Sequence, residues 1–549
     1  MSPLPAESTS DRLSCYPYGA GHGAEGVCLL LCMGPYRILL DCGLTDLSLL
    51  SAGETSPADW VLCTNARGDR ARGLLDLHAG FPNLPIYAST VTAKLLPLNW
   101  LDRPPDEIPA FCQPLPWRSS IELAEGLTVE LFPAGHLPGA AVYQLSYKTP
   151  ERDYTVIYTG DFCLSSSRLT DGLSVESLRG QSPDVLIIEG IYGTARHARR
   201  RQQEKQLVEK IDRALVEGTS VLLPVPPLGI AQEILMLLRS HHQFTGRNLE
   251  IWAAGEVAIA CDFYLDLLPE LPASVQNFAK HQPLFWDDQI LPRLRRFSAQ
   301  ESHLTQFPCV FLTDESVNFQ TLNLPESEAW LILLPEPIAP QRLRDIERWA
   351  VEQPNARLDT YLLTEHSDGR NTTQLIHNIR PQHVVFVAGM PRDLADLTGL
   401  EELHNRYQLH SPAAGTLVEL PIGETFIQPA APTETHYEAD ISEQETSVSI
   451  IFPSAIASDP HWRNFAETGL IEARWQGEEL VLRGLSQREL LNANPQIRRP
   501  MDLDCCGNCR YQRGQRCYNS LSPLYGFKVT PEGYCPAFEP MDLPSVDES

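Results

Sequence analysis

Positive charge is scarce in this chain: 43 lysines and arginines face 70 aspartates and glutamates, for a net charge of −27. That balance excludes a protein that coats nucleic acid without preference, because polyphosphate would be repelled at long range. A local basic channel is still allowed. The densest basic run, Arg196-His197-Ala198-Arg199-Arg200-Arg201, fits either a solvated helix face or a set of phosphate contacts. No uninterrupted apolar run approaches the roughly 20 residues of a membrane helix, so no membrane role is expected. The opening stretch, MSPLPAESTSDRLSC, lacks the basic and apolar regions of a secretory leader. Nothing in the sequence signals DNA binding. Of 14 cysteines, nine stand singly between Cys15 and Cys309, often inside apolar runs. Read as buried reduced thiols, they imply a reducing compartment, expected to be the cytoplasm.

What is present is organised in blocks. Short β-rich runs punctuated by glycine and proline fill the first part, at 27–33, 37–41, 60–64, 85–88, 127–132, 141–147 and 155–159. That spacing predicts stacked sheets rather than one doubly wound domain. The texture then changes. An amphipathic helix is expected over 201–217, stopped by Gly218, followed by a buried strand at 220–225 and a helix over 230–241. Further strands are expected at 249–253, 309–312, 329–334, 357–363, 383–387 and 416–420. The domain reading is 1–200 as a first part, 201–359 as an α/β insert, and 360–425 as the return of the first domain. A Pro-, Thr- and Glu-rich linker at 426–446, a small mixed segment at 447–500 and a cysteine-rich segment at 501–540 complete it.

The chemistry-bearing patterns follow a specific order. Ile38-Leu39-Leu40-Asp41-Cys42-Gly43 comes after the turn-rich Tyr18-Gly19-Ala20-Gly21, and Val61-Leu62-Cys63-Thr64-Asn65-Ala66-Arg67-Gly68-Asp69-Arg70-Ala71-Arg72-Gly73 follows it. Next come Pro85-Ile86-Tyr87-Ala88-Ser89, Ala134-Gly135-His136-Leu137-Pro138-Gly139-Ala140 and Tyr158-Thr159-Gly160-Asp161-Phe162. The last three are the run from Pro183 to Gly193 with Glu189 as its acid, then Thr364-Glu365-His366-Ser367-Asp368, then His383-Val384-Val385-Phe386-Val387-Ala388-Gly389. Together, over residues 17–425, these segments resemble the metallo-β-lactamase fold of the β-CASP branch, the family of RNA-processing nucleases. The resemblance implies an α/β fold: a metallo-β-lactamase αββα sandwich with an inserted β-CASP α/β domain, plus a small C-terminal metal-binding segment.

In that family, histidines and carboxylates hold two zinc ions, and a hydroxide between them attacks a phosphodiester. Here the signature histidines are replaced by Asn65, Arg67 and Arg70, and the histidine of the last motif by Ala388. Only His136 of that ligand set remains. Arginine offers donors only and puts positive charge where a dication would sit. No di-zinc centre is therefore expected. The remnant pocket is Asp41, Asp69, His136, Asp161, Glu189 and His366, with Arg67 and Arg70 expected each to fork onto a carboxylate in place of zinc. His136 and His366 read as hydrogen-bonded core histidines. Ile230 follows Gly229 where the family often carries an arginine, which puts phosphate contact in that groove in doubt.

The spacing Cys506-x2-Cys509-x7-Cys517-x17-Cys535, with Cys505 as a spare, suits a structural zinc site, and an iron–sulfur cluster is the alternative. Three functions remain open. The leading one is a non-catalytic scaffold or regulatory subunit in RNA processing, partnering an active β-CASP ribonuclease or another RNA-processing protein, with RNA itself weakly supported. The others are a metal-dependent hydrolase with a single-metal site rebuilt from His136, Asp69 and Asp161, and a redox-responsive iron–sulfur module.

Overall fold

The computed structural model describes residues 13–422, except 24, 52–54, 105–106, 298–306, 318–327, 339, 352 and 354. Beyond 422 it describes 440–444, 447–451, 471–476, 479–484, 509–513 and 516–519. The chain divides into two compact units, Met1–Ala430 and Ala431–Ser549.

In the first unit, β1 (Leu13–Ala20), β2 (Val27–Met33), β3 (Tyr36–Leu40), β4 (Trp60–Leu62), β5 (Ile86–Ser89) and β6 (Cys112–Leu115) build one sheet. It is antiparallel from β1 to β3 and parallel from β3 to β6. A second sheet begins with β7 (Ile121–Ala124), β8 (Leu127–Pro133), β9 (Ala141–Lys148), β10 (Asp153–Tyr158) and β11 (Val185–Glu189). The third sheet is β12 (Ser220–Val225), β13 (Glu250–Ala254), β14 (Arg293–Phe297), β15 (Val310–Asp314), β16 (Trp330–Pro335) and β17 (Ala356–Tyr361). Its order is β14-β13-β15-β12-β16-β17, and every pairing is parallel. The chain then returns. β18 (His383–Val387) and β19 (Gln408–His410) extend the second sheet beside β11, and β20 (Val418–Glu419) joins the first beside β1. The third sheet is thus an insertion between β11 and β18.

Side-chain alternation explains the layering. Leu29 and Leu31 of β2 join Ile38 and Leu40 of β3, Tyr143 and Leu145 of β9 and Val156 and Tyr158 of β10 in the core between the first two sheets. Cys28, Leu30, Leu39 and Ile157 point the other way, into the layer that holds Leu74 and Leu77 of the helix Leu74–Gly80. Both faces are covered, so these strands read as continuous apolar runs rather than alternating ones. In the insert, the helix Arg200–Val216 buries Leu207, Val208, Ile211 and Leu215, one face at helical spacing. No helix among the described residues is long and apolar enough to cross a membrane.

β2, β12 and β18 fall on the residues expected of them. β1 was hidden by reading Tyr18–Gly21 as a turn, and β14 by its sequence RLRRF. That strand is tolerated because Arg295 pairs with Glu250 at 3.0 Å and with Asp288 at 2.6 Å. One correction falls in the second unit. The linker reading at 426–446 contains β21 (Asp440–Gln444), paired antiparallel with β22 (Ser447–Ile451), because Ile441 meets Ile450 across the ladder despite the polar composition. β23 (Ile471–Gln476) and β24 (Glu479–Gly484) form another hairpin, and β25 (Gln512–Arg513) and β26 (Arg516–Cys517) a third. Cys506 and Cys535, like the spare Cys505, lie outside the described residues.

Candidate functional site

The site is built where strand ends of the two stacked sheets meet the short helix Gly68–Ala71. After β3, Asp41 adopts a left-handed backbone (φ 58°), and Gly43 lets the loop lie flat on that helix. A Cβ on Gly43 would stand 1.8 Å from the Asp69 carbonyl oxygen, so no side chain fits. The Cys42 N–H donates to the Arg70 carbonyl at 2.8 Å, and the Gly73 N–H to the Cys42 carbonyl at 2.9 Å. These contacts carry Arg70 into the protein, where it is fully buried.

Arg70 forks onto Asp161, donating from Nε to Oδ2 at 3.1 Å and from Nη2 to Oδ1. Its Nη1 donates to the Tyr158 hydroxyl at 2.8 Å and lies 3.5 Å from Asp41 Oδ2. Asn65 Nδ2 donates to Asp161 Oδ2 at 3.0 Å. Asp41 accepts from the Thr64 N–H at 2.6 Å and from the Tyr158 hydroxyl at 2.6 Å. Burial by itself would raise the Asp161 carboxyl, but the guanidinium outweighs it and holds Asp161 well below the usual carboxylate range. Asp41 is raised to about 6 by burial, against the pull of Arg70 and Tyr158.

A second pair sits alongside. His366 Nδ1 lies 2.8 Å from Glu189 Oε2, and Glu189 Oε1 accepts from the Phe162 N–H at 2.6 Å. Burial lowers the His366 imidazole and raises Glu189, but the carboxylate wins at the histidine, which titrates above its ordinary value. His136 packs on His366 with ring centres 4.5 Å apart. Its Nδ1 is 3.0 Å from the Glu365 carbonyl, which can only accept, so the proton sits on Nδ1. Nε2 is left as a buried lone pair without a hydrogen-bond partner.

The sequence reading needs two corrections here. Asp69 does not join the cluster: its side chain is 40% exposed and lies 3.8 Å from Arg67. Arg67 does not fork onto a pocket acid either. It reaches out to Glu365, Nη1 to Oε2, at 2.9 Å. The reason is geometric, since residues 67 and 70 flank one short helix and only the second faces inward. Ala388 keeps a left-handed backbone (φ 51°) and its N–H donates to the Ala20 carbonyl at 2.8 Å, but its methyl offers no ligand. Arg200, from the basic run, is neither solvated nor free: it lies 3.4 Å from Glu204 and 3.6 Å from Glu233. Tyr158 and Glu365 were missed, although a tyrosine ending a buried strand needs a partner for its hydroxyl.

The donor set does not fit two zinc ions. Asp161 already accepts three N–H donors, and a buried guanidinium stands among the acids. Among the described residues, the group whose donor atoms lie within 4.8 Å of one another is Asp161, Glu189 and His366; the set His136, Asp69 and Asp161 is not assembled. The replacement of metal by hydrogen bonds gives His136 a testable signature. Burial, then the neighbouring His366, lowers its imidazole to about 4, so folding favours the neutral ring. Its contribution is present above the unfolded value and is lost as pH falls through the window from 6.5 to about 4. Between pH 7 and 5 that amounts to on the order of 2 kcal/mol. Asp41 works in the opposite direction, so the comparison must be made against a variant. His136→Gln is expected to lose about 2 kcal/mol less than the parent over this range in urea unfolding. Parallel pH profiles would refute the assignment.

A family model described as a beta-lactamase superfamily domain matches residues 36–214. An uncharacterized protein, sll0514, of Synechocystis sp. (strain ATCC 27184 / PCC 6803 / Kazusa) is 51% identical over 540 residues, covering 96% of this chain and 97% of its own. Integrator complex subunit 11 of Gallus gallus is 20% identical over 478 residues, 79% of this chain and 77% of its own. Ribonuclease TTHA0252 of Thermus thermophilus is 30% identical over 244 residues, 41% of this chain and 54% of its own.

Proposed function

Because the chain belongs to the β-CASP branch of the metallo-β-lactamase superfamily, its function is read against that family's reaction, and we propose that it is a non-catalytic scaffold or regulatory subunit in RNA processing or degradation. Relatives named as ribonucleases support the RNA-processing setting. The observation that carries the non-catalytic reading is Arg70, whose guanidinium satisfies Asp161, Asp41 and Tyr158 inside the protein. A guanidinium in that position cannot lower the pKa of a bound water as a metal does, and its charge opposes an entering dication. Its partner would be an active β-CASP ribonuclease or another RNA-processing protein. The free thiols among the described residues are in keeping with a reducing, cytoplasmic setting. A structural zinc at Cys506, Cys509, Cys517 and Cys535 completes the reading.

One observation favours a second reading. The group Asp161, Glu189 and His366, with the unpartnered His136 Nε2 nearby, could take one ion if Arg70 withdrew. The test is metal content and ribonuclease activity of the full chain, purified and then supplied with zinc or manganese. We expect metal only at the cysteine cluster and no cleavage of single-stranded RNA. Additional bound metal, together with cleavage that His136→Ala abolishes, would establish the hydrolase reading instead.

A further inference from the structure

The cavity between the sandwich and the insert, about 370 Å³ in volume, contains a built-in anion. Glu365 Oε2 accepts from Arg67 Nη1 at 2.9 Å, with the two side chains only 11% and 22% exposed. The other oxygen of Glu365 lies 2.6 Å from where a Cβ on Gly229 would stand, at the head of the helix Ile230–Ser240. The carboxylate is therefore wedged between the guanidinium and a residue that tolerates no side chain. Its backbone is pinned as well. The Glu365 carbonyl lies 3.0 Å from His136 Nδ1, and Arg200 donates to the Thr364 carbonyl. Arg72 lines the same cavity, but so do Glu25, Glu315 and Glu336.

We propose that the Arg67–Glu365 pair is an autoinhibitory contact: Glu365 occupies the anion seat of Arg67 and so keeps phosphate, free or in an RNA backbone, out of the cleft. An entering phosphate must take Arg67 from Glu365 and leave that carboxylate in a confined site beside other acids, both of which cost free energy. Any RNA held by this protein then lies on another surface. The contact rests on the non-catalytic reading of the cleft, but the two fail separately. Cleavage by the parent protein overturns that reading, whereas the contact is judged by binding alone.

The test uses the full chain and two probes in separate titrations, inorganic phosphate by calorimetry and a short single-stranded oligoribonucleotide by fluorescence anisotropy. The parent is expected to show no saturable binding of either in the cleft. Glu365→Gln is expected to bind at least tenfold more tightly, and adding Arg67→Gln to it should abolish the gain. Gain with phosphate alone marks a small-anion seat, gain with the oligonucleotide marks a backbone seat, and either supports the contact. If Glu365→Gln does not fold, Glu365→Asp keeps the charge on a shorter arm, and an intermediate gain is expected. Equal affinity of parent and variant overturns the proposal, as does a double variant that binds as tightly as Glu365→Gln.

Discussion

Arg70→Ala is expected to lose about 3–5 kcal/mol of stability, the cost of leaving a buried charge without its partner. Its guanidinium is fully buried and serves Asp161, Tyr158 and Asp41 together, so its removal strands an ionised carboxylate and a hydroxyl at once. The pH dependence separates this mechanism from simple loss of packing. In the parent, Asp161 is held low by the guanidinium, so its contribution is present above the unfolded carboxylate value and is lost as pH falls. In the variant, burial acts unopposed and raises that carboxyl, so stability is lost as pH rises. The gap between the two proteins should therefore narrow on going from neutral pH towards about pH 4. Arg70→Lys, which keeps the charge but not the fork, should fall between them. Unfolding curves of Arg70→Ala that match the parent at neutral pH would show that the guanidinium does not hold these acids.

Arg67 looks like Arg70 in the sequence but is a different case in the fold. Its partner Glu365 is partly solvated, and its ion pair faces a cavity rather than a core. Arg67→Ala should cost about 1 kcal/mol, in the range of pairs that retain contact with water. The contrast shows what local spacing cannot convey. Three residues separate the two arginines, and the helix Gly68–Ala71 is too short for an apolar stripe to mark its buried face.

The order of motifs made the fold legible because each motif sits where a strand ends: Asp41 after β3, Thr64 after β4, Asp161 after β10, Glu189 closing β11 and Ala388 after β18. Apolar strands buried on both faces are visible as runs, and the acids that follow them are visible as punctuation. The partners of those acids were only partly legible. Arg70 was predictable, since carboxylates without metal need a cation and arginine occupies a lost ligand position. Glu365 was not, because its neighbours in the cavity, Arg67 and Gly229, lie far away in sequence. Asp69 was misplaced for the same reason as Arg67: it sits on the outer side of the same short helix. β21 was masked by a Pro- and Thr-rich context, where its isoleucine pairing carries the strand.

Cys506→Ser is expected to remove one zinc per chain and to unfold the segment around it. The described part of that segment is a tight hairpin: the Gln512 N–H donates to the Cys509 carbonyl at 3.1 Å, and Gln512 pairs with Cys517 across β25 and β26. Cys509, which is buried, thus precedes a turn that brings the chain back through Cys517. Strands of two residues supply few ladder hydrogen bonds and little apolar burial. A structural zinc contributes roughly 10–16 kcal/mol of apparent binding free energy, far more than such a hairpin supplies alone. Because the metal requires thiolates, its release should also follow acidification, with protons displacing it from sulfur. Elemental analysis of the parent should return a colourless protein with one zinc, and Cys506→Ser should lose that zinc together with protection of the segment from proteolysis. A brown parent protein carrying iron and sulfide would replace zinc by a cluster at the same four cysteines. A variant that keeps its full metal content would show that the ion is not held there, and would return attention to Asp161, Glu189 and His366 as the ligands.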